Sequence, residues 1–99
     1  PVDLNETVRN VTRLLAQDAA RRGVAVETEL ASNLPPVRGD TVQLQQVVLN
    51  VLVNAFDAVA RCPAERRRVT VRTREQLSGW LELSIDDAGE GIPEAHLGQ

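Results

Sequence analysis

Apolar residues recur along this chain with two different periods, and the switches between them mark out the elements. Over residues 5–22, Val8, Val11, Leu15 and Ala19 fall on one helical face, with Asn5 placed to cap the start and Gly23 to stop the end. The next stretch alternates, with Val24, Val26, Thr28 and Leu30 on one side and Ala25, Glu27 and Glu29 on the other, which predicts a half-buried strand. Pro35 and Pro36 forbid helix in the connector over residues 33–40, which leaves room for a short extended piece at Val37 and Arg38. Asp40 and Gln43 have capping-box spacing and start a second helix over residues 41–61, which Cys62, Pro63 and Ala64 break. Alternation returns over residues 68–75 with Val69, Val71 and Thr73 inward, and again over residues 80–86 with Leu81, Leu83 and Ile85 on one face. A turn at residues 76–79 joins the two as an antiparallel hairpin. The order helix, strand, helix, strand, strand predicts an α+β fold, a two-layer α/β sandwich with helices on one face of a mostly antiparallel sheet.

The second helix changes the picture from packing to chemistry. Leu44, Val48, Leu49, Leu52, Ala55, Phe56 and Val59 cover most of its circumference. At roughly 100° per residue, Gln43, Gln46, Asn50, Asn54, Asp57 and Arg61 all lie within about 60° of one line. Asparagine is a poor helix former that resists burial without partners. A lone amide on such a helix would often just bond a neighbouring loop, but two in line with Asp57 point to something that takes amide and carboxylate oxygens. A magnesium ion carrying phosphates is such a partner.

Composition narrows the classes. Ninety-nine residues make one small domain, and 42% hydrophobic with 25% charged residues is ordinary for a soluble fold. Only Phe56 and Trp80 are aromatic, so the core is aliphatic. No apolar run approaches the roughly 20 residues of a membrane span, so no direct membrane contact is expected. The start at Pro1 and the absence of methionine read as a piece of a longer polypeptide, and residues 1–10 lack the pattern of a signal peptide. The lone Cys62 suits a reducing compartment, and the expected location is the cytoplasm. A net charge of −3 gives no case for nucleic acid, and Arg66, Arg67 and Arg68 read as a solvated strand entry. All eleven cations are arginine, which removes both the P-loop lysine and the strand lysine of the protein-kinase fold.

After the last strand comes Asp86-Asp87-Ala88-Gly89-Glu90-Gly91-Ile92-Pro93. Gly89 and Gly91 let the backbone turn sharply and come close to a flat ligand, while Asp87 offers a carboxylate to a donor such as a purine amino group. Glycine and aspartate after a strand ordinarily mark only a turn. The spacing of the acidic residues does not fit an EF-hand loop.

Taken together, QLQQVVLNVLVNAFDA and, about thirty residues later, DDAGEGIP resemble the N box and first glycine box of the ATP-binding domain of sensor histidine kinases. These belong to the gyrase, Hsp90, histidine kinase and MutL superfamily. The resemblance extends to LPPVRGD before the helix and to the hairpin, and so spans nearly the whole chain over residues 1–99. It implies a Bergerat-type ATP-binding fold whose C-terminal part is missing, with the N box at residues 40–61 and the first glycine box at residues 86–93. It further implies ATP and Mg²⁺ as cofactors. Asn54 would ligate the metal and Asn50 would contact the phosphates or a magnesium-bound water. Asp87 would accept the hydrogen bond of the adenine amine, Gly89 and Gly91 would shape the loop beneath the base, and Ile92 would add an apolar wall. Asp57 stands where many members have lysine and others aspartate, and its role is left open. Ala88 replaces the commoner asparagine, which removes a local hydrogen bond and leaves the adenine contact.

The chemistry at position 50 separates branches of the superfamily. Branches that hydrolyse ATP carry a glutamate there to activate water, and an amide cannot take up that proton. A neutral imidazole nucleophile needs mainly in-line positioning and charge neutralisation, so the implied reaction is γ-phosphoryl transfer to a histidine. The implied partners are a phospho-acceptor histidine helix and a response regulator. The family's lid and second glycine-rich box are not in the sequence, and His96 reads as a loop residue that matches no acceptor motif. The fragment is therefore expected to hold the adenine and magnesium half of a pocket, to bind ATP weakly, and to self-associate through a truncated face. The competing readings are an ATPase of the gyrase, Hsp90 or MutL kind and a decayed module that only docks to proteins.

Overall fold

The computed structural model describes residues 2–76, 80–87 and 94–97, with backbone alone at Asp87 and residues 94–97. Helix α1 (Leu4–Leu14) and helix α2 (Ala16–Arg22) come first, then strand β1 (Ala25–Leu30) and helix α3 (Thr41–Val59). A short 3₁₀ turn (Ala64–Arg66) leads into β2 (Arg68–Glu75), β3 (Leu81–Asp87) and β4 (Glu94–Leu97). The strands lie in the order β1-β2-β3-β4. β2/β3 and β3/β4 are antiparallel, whereas β1 and β2 run parallel because α3 provides the crossover between them.

Alternation decides what each face of the sheet meets. Val69 and Val71 of β2 and Leu81, Leu83 and Ile85 of β3 are fully buried beneath the helices, as their period requires. β1 is an edge strand with only Val26 and Leu30 partly covered. The opposite face carries charge. Arg72 donates to Glu29 at 2.7 Å and to Asp86 at 3.2 Å, and Arg74 pairs with the buried Glu82. The Glu29 hydrogen bond, followed by the one to Asp86, holds the Arg72 guanidinium pKa above its ordinary value.

Several local expectations are corrected. Asp3, not Asn5, caps α1: its Oδ1 accepts from the Glu6 N–H at 3.1 Å. The expected single helix over 5–22 breaks at Leu15, whose N–H and carbonyl still bond Val11 and Ala19, so the apolar face carries across the break. Gly23 ends α2 at φ 69, the left-handed conformation that glycine adopts without strain. Asp40 caps α3 by accepting from the Val42 N–H at 2.7 Å, but Gln43 does not return the bond, so the capping box is half made. Val37 pairs with Val2 in an isolated bridge. His96, expected in a loop, stands in β4 in register with Glu82. Among the described residues, α3 alone has the length and composition of a membrane span, although polar residues interrupt the apolar runs in it. Its six buried residues pack in the core and its other side is polar, the pattern of a core helix.

Asn5 has a different task. Its Nδ2 donates to the Ala31 carbonyl at 2.7 Å, the Ala31 N–H donates to Thr73 Oγ1 at 3.0 Å, and the Thr73 hydroxyl donates to Asn5 Oδ1 at 2.7 Å. This closed ring ties α1, the end of β1 and β2 together inside the protein. Asn5→Leu removes one member and leaves the Ala31 carbonyl without its partner, so it should cost about 1–3 kcal/mol in chemical denaturation. A loss below the error of the measurement would show that the ring carries no net stability.

Candidate functional site

The α3 helix is built to present one edge. Leu44, Val48, Leu52, Ala55, Phe56 and Val59 are buried, which fixes its rotation about its own axis. Gln43, Gln46, Asn50, Asn54, Asp57 and Arg61 are all exposed, so the stripe faces outward as its spacing requires. Neither the Asn50 nor the Asn54 side chain makes a hydrogen bond with a described residue. Both amides are therefore free, among the described residues, of the loop-tying role that a buried helical amide often has.

Asp57 differs from its neighbours on the stripe. Arg22 Nη1 donates to Asp57 Oδ1 at 2.7 Å, and Arg22 Nε lies 3.3 Å from Asp18 Oδ2. The hydrogen bond to Asp57 is the leading cause that holds the Arg22 pKa above its ordinary value. Asp57 therefore joins α3 to α2 across 35 residues of sequence. It spends its carboxylate on a protein partner, and its being half exposed makes the pair a modest contributor to stability. Arg67, expected to be solvated, is half-buried and donates to the carbonyls of Cys62 and Arg22, each at 3.0 Å. It thereby satisfies the last carbonyl of α2 and one in the turn that follows α3. No local pattern in the sequence separates Arg67 from Arg66 and Arg68.

β3 brings the second half of the candidate site to the same end of the fold. Asp87 is its last residue and stands in register opposite Val69, two positions beyond the buried Ile85. Gly89, Gly91 and Ile92, with the rest of the glycine turn at residues 88–93, lie outside the described residues. A separate hollow of about 180 Å³ at the start of α3 is lined by Val2, Val37, Asp40, Gln43, Leu44 and Val47 and includes neither asparagine.

The donor chemistry sets what metal could be held. Among the described residues no group of three or more His, Cys, Asp or Glu converges, so a cation cage made by the protein alone is not on offer there. Two exposed amide oxygens suit a hard cation that keeps waters and takes its remaining ligands from substrate phosphates, which is the usual habit of magnesium. The residues present fit such an ion.

Comparison with known proteins gives the same direction. Residues 39–99 match the family described as histidine kinase-, DNA gyrase B-, and HSP90-like ATPase. The chain is 32% identical to the sensor histidine kinase TmoS of Ectopseudomonas mendocina over all of its own length and 10% of that protein. It is 33% identical to the sensor histidine kinase ZraS of Klebsiella oxytoca over 97% of itself and 20% of that protein. The chain thus spans a tenth of one of these relatives and a fifth of the other. Among solved structures, the catalytic domain of the histidine kinase ThkA superposes with a TM-score of 0.75 at 20% identity, over 92% of this chain and 59% of that one. ThkA has also been solved in complex with the response regulator protein TrrA, where the TM-score is 0.74 at 21% identity, over 92% of this chain and 26% of that one.

Proposed function

Since the chain belongs to the histidine kinase-, DNA gyrase B-, and HSP90-like ATPase family, in the ATP-binding form of sensor histidine kinases, we propose that it is the MgATP-binding core of a two-component kinase. In the whole protein this core transfers the γ-phosphoryl group of ATP to a histidine. The N box spans residues 40–61 and the first glycine box residues 86–93. Asn54 holds the metal, Asn50 contacts the phosphates or a metal-bound water, and Asp87 takes the adenine amine. Gly89, Gly91 and Ile92 form the floor and wall of the base pocket. Asp57 stands beside the two amides on the same stripe and, through Arg22, keeps α2 against α3. The metal, when bound, supplies charge neutralisation at the phosphates.

The observation that carries this reading is the pair of exposed amides at positions 50 and 54, whose side chains have no partner among the described residues, on a helix whose other face is buried in the core. An amide at position 50 orients phosphates without acting as a base, so the acceptor is a nucleophile with its own lone pair and not a water that must be deprotonated. That favours transfer to imidazole over hydrolysis. The phospho-acceptor is a histidine helix of the same or a partner chain. The downstream partner is a response regulator, by likeness to sensor histidine kinases and to the ThkA complex. Its place of work is the cytoplasm.

Asn50→Glu in the intact parent tests the reading. Phosphate release from ATP should rise while phosphohistidine formation falls, because the carboxylate can now activate water. Unchanged hydrolysis together with unchanged phosphotransfer would overturn the role given to Asn50. For the chain alone, a titration with MgATP followed by amide NMR shifts should move α3 and the end of β3. Trp80 directly precedes β3, at the end away from Asp87, and so makes a poor reporter.

A further inference from the structure

Because α3 is the crossover between two parallel strands, it runs back against both of them. Residues 60–67 join its last turn to the start of β2, where Val69 stands in register with Asp87. The C-terminal turn of α3 and Asp87 therefore share one end of the fold. From that end the polar stripe leads away in the order Asp57, Asn54, Asn50, Gln46, Gln43. At about 1.5 Å per residue, each step of four residues advances about 6 Å along the helix axis.

This direction gives the stripe a polarity that a nucleotide must follow. With the base anchored at Asp87, the phosphate nearest the sugar lies toward the last turn of α3 and the terminal phosphate toward its start. Asn54 and Asn50 take the metal and the phosphates in the reading above, and Gln46 is the next polar group, one turn further on. Gln46 is exposed, and its side chain makes no ion pair or hydrogen bond with a described residue. Its amide stands one methylene further from the backbone than that of asparagine, and its Nε2 carries two donors. Gln43, the step beyond, already belongs to the hollow lined by Val2, Val37 and Val47. Arg38 and Asp40 line that hollow as well, so opposite charges offset each other there. What the stripe presents to the last phosphate is therefore an amide N–H.

We infer that Gln46 donates to the terminal phosphate of ATP and makes the site distinguish a triphosphate from a diphosphate, an inference that rests on the nucleotide-binding reading above. The distinction suits phosphoryl transfer. A contact to the transferred group exists with the substrate and is lost with the product, so the diphosphate is held less tightly than the triphosphate.

The test is a pair of titrations, MgATP and MgADP, against the native chain and against Gln46→Ala, followed by amide NMR shifts. Affinity for MgATP should fall about tenfold, the factor for one hydrogen bond to a charged group, while affinity for MgADP should stay within about twofold. Gln46→Glu should weaken MgATP further, because a carboxylate repels the terminal phosphate, and should again spare MgADP. If either variant melts early, the ratio of the two affinities still decides, since a loss of folded protein lowers both alike. Equal losses for the two nucleotides, or an unchanged affinity for MgATP, would overturn the role of Gln46 while leaving the nucleotide site in place. Failure of the native chain to bind either nucleotide would overturn the site and the role of Gln46 together.

Discussion

Replacing Asn54 with alanine should weaken MgATP binding roughly 10- to 150-fold, the equivalent of one hydrogen bond or ligand contact to a charged group at about 1.5–3 kcal/mol. The same change should leave the fold untouched. Asn54 is exposed and has no protein partner to lose, and alanine is the better helix former. The measurement is an NMR or calorimetric titration of MgATP against both proteins, with thermal denaturation alongside. The loss should shrink when the titration is repeated with ATP in a metal chelator, because a residue that acts through the ion matters less without it. An Asn54→Ala protein that binds MgATP as the native chain does would remove the metal role. One that binds ATP equally poorly with and without metal would move Asn54 from the ion to the phosphates.

The ease with which this stripe was read has a physical cause. A buried helix repeats its environment every three to four residues, so local spacing alone locates both the core side of α3 and its exposed edge. Leu81, Leu83 and Ile85 were legible for the same reason at period two. Residues whose task depends on a distant partner were not. Asn5 has the chemistry of an N-cap, but its partners Ala31 and Thr73 lie 26 and 68 residues away. Asp57 sits on the stripe by angle, yet Arg22, from another helix, takes its carboxylate. The parallel pairing of β1 with β2 depends on α3 as a crossover, which the succession of elements permits without requiring. The D-x-x-E spacing of Asp3 and Glu6 was a local signal for the true start of α1, and Asn5 masked it.

Phe56→Ala should be the most damaging single change in the protein. Phe56 is the largest fully buried side chain, at 1% exposure. It lies roughly 200° around α3 from Asn54, so its burial is what turns the amide outward. Truncating a buried phenylalanine costs about 3–5 kcal/mol, against a total of roughly 5–15 kcal/mol for a native protein. With few other aromatics to fill the space, the aliphatic neighbours cannot expand to close the cavity. In urea the midpoint should drop by about 1–3 M with little change in slope. The link to function is testable in the same experiment, because a ligand that binds only the folded state restores stability. MgATP at about 100 times its dissociation constant should return roughly 2.7 kcal/mol to the variant, whereas adenosine-free phosphate at matched ionic strength should return nothing. A Phe56→Ala protein that loses less than about 1 kcal/mol would mean that α3 is not seated as described, and a destabilised variant that MgATP fails to rescue would separate the packing of this helix from nucleotide binding.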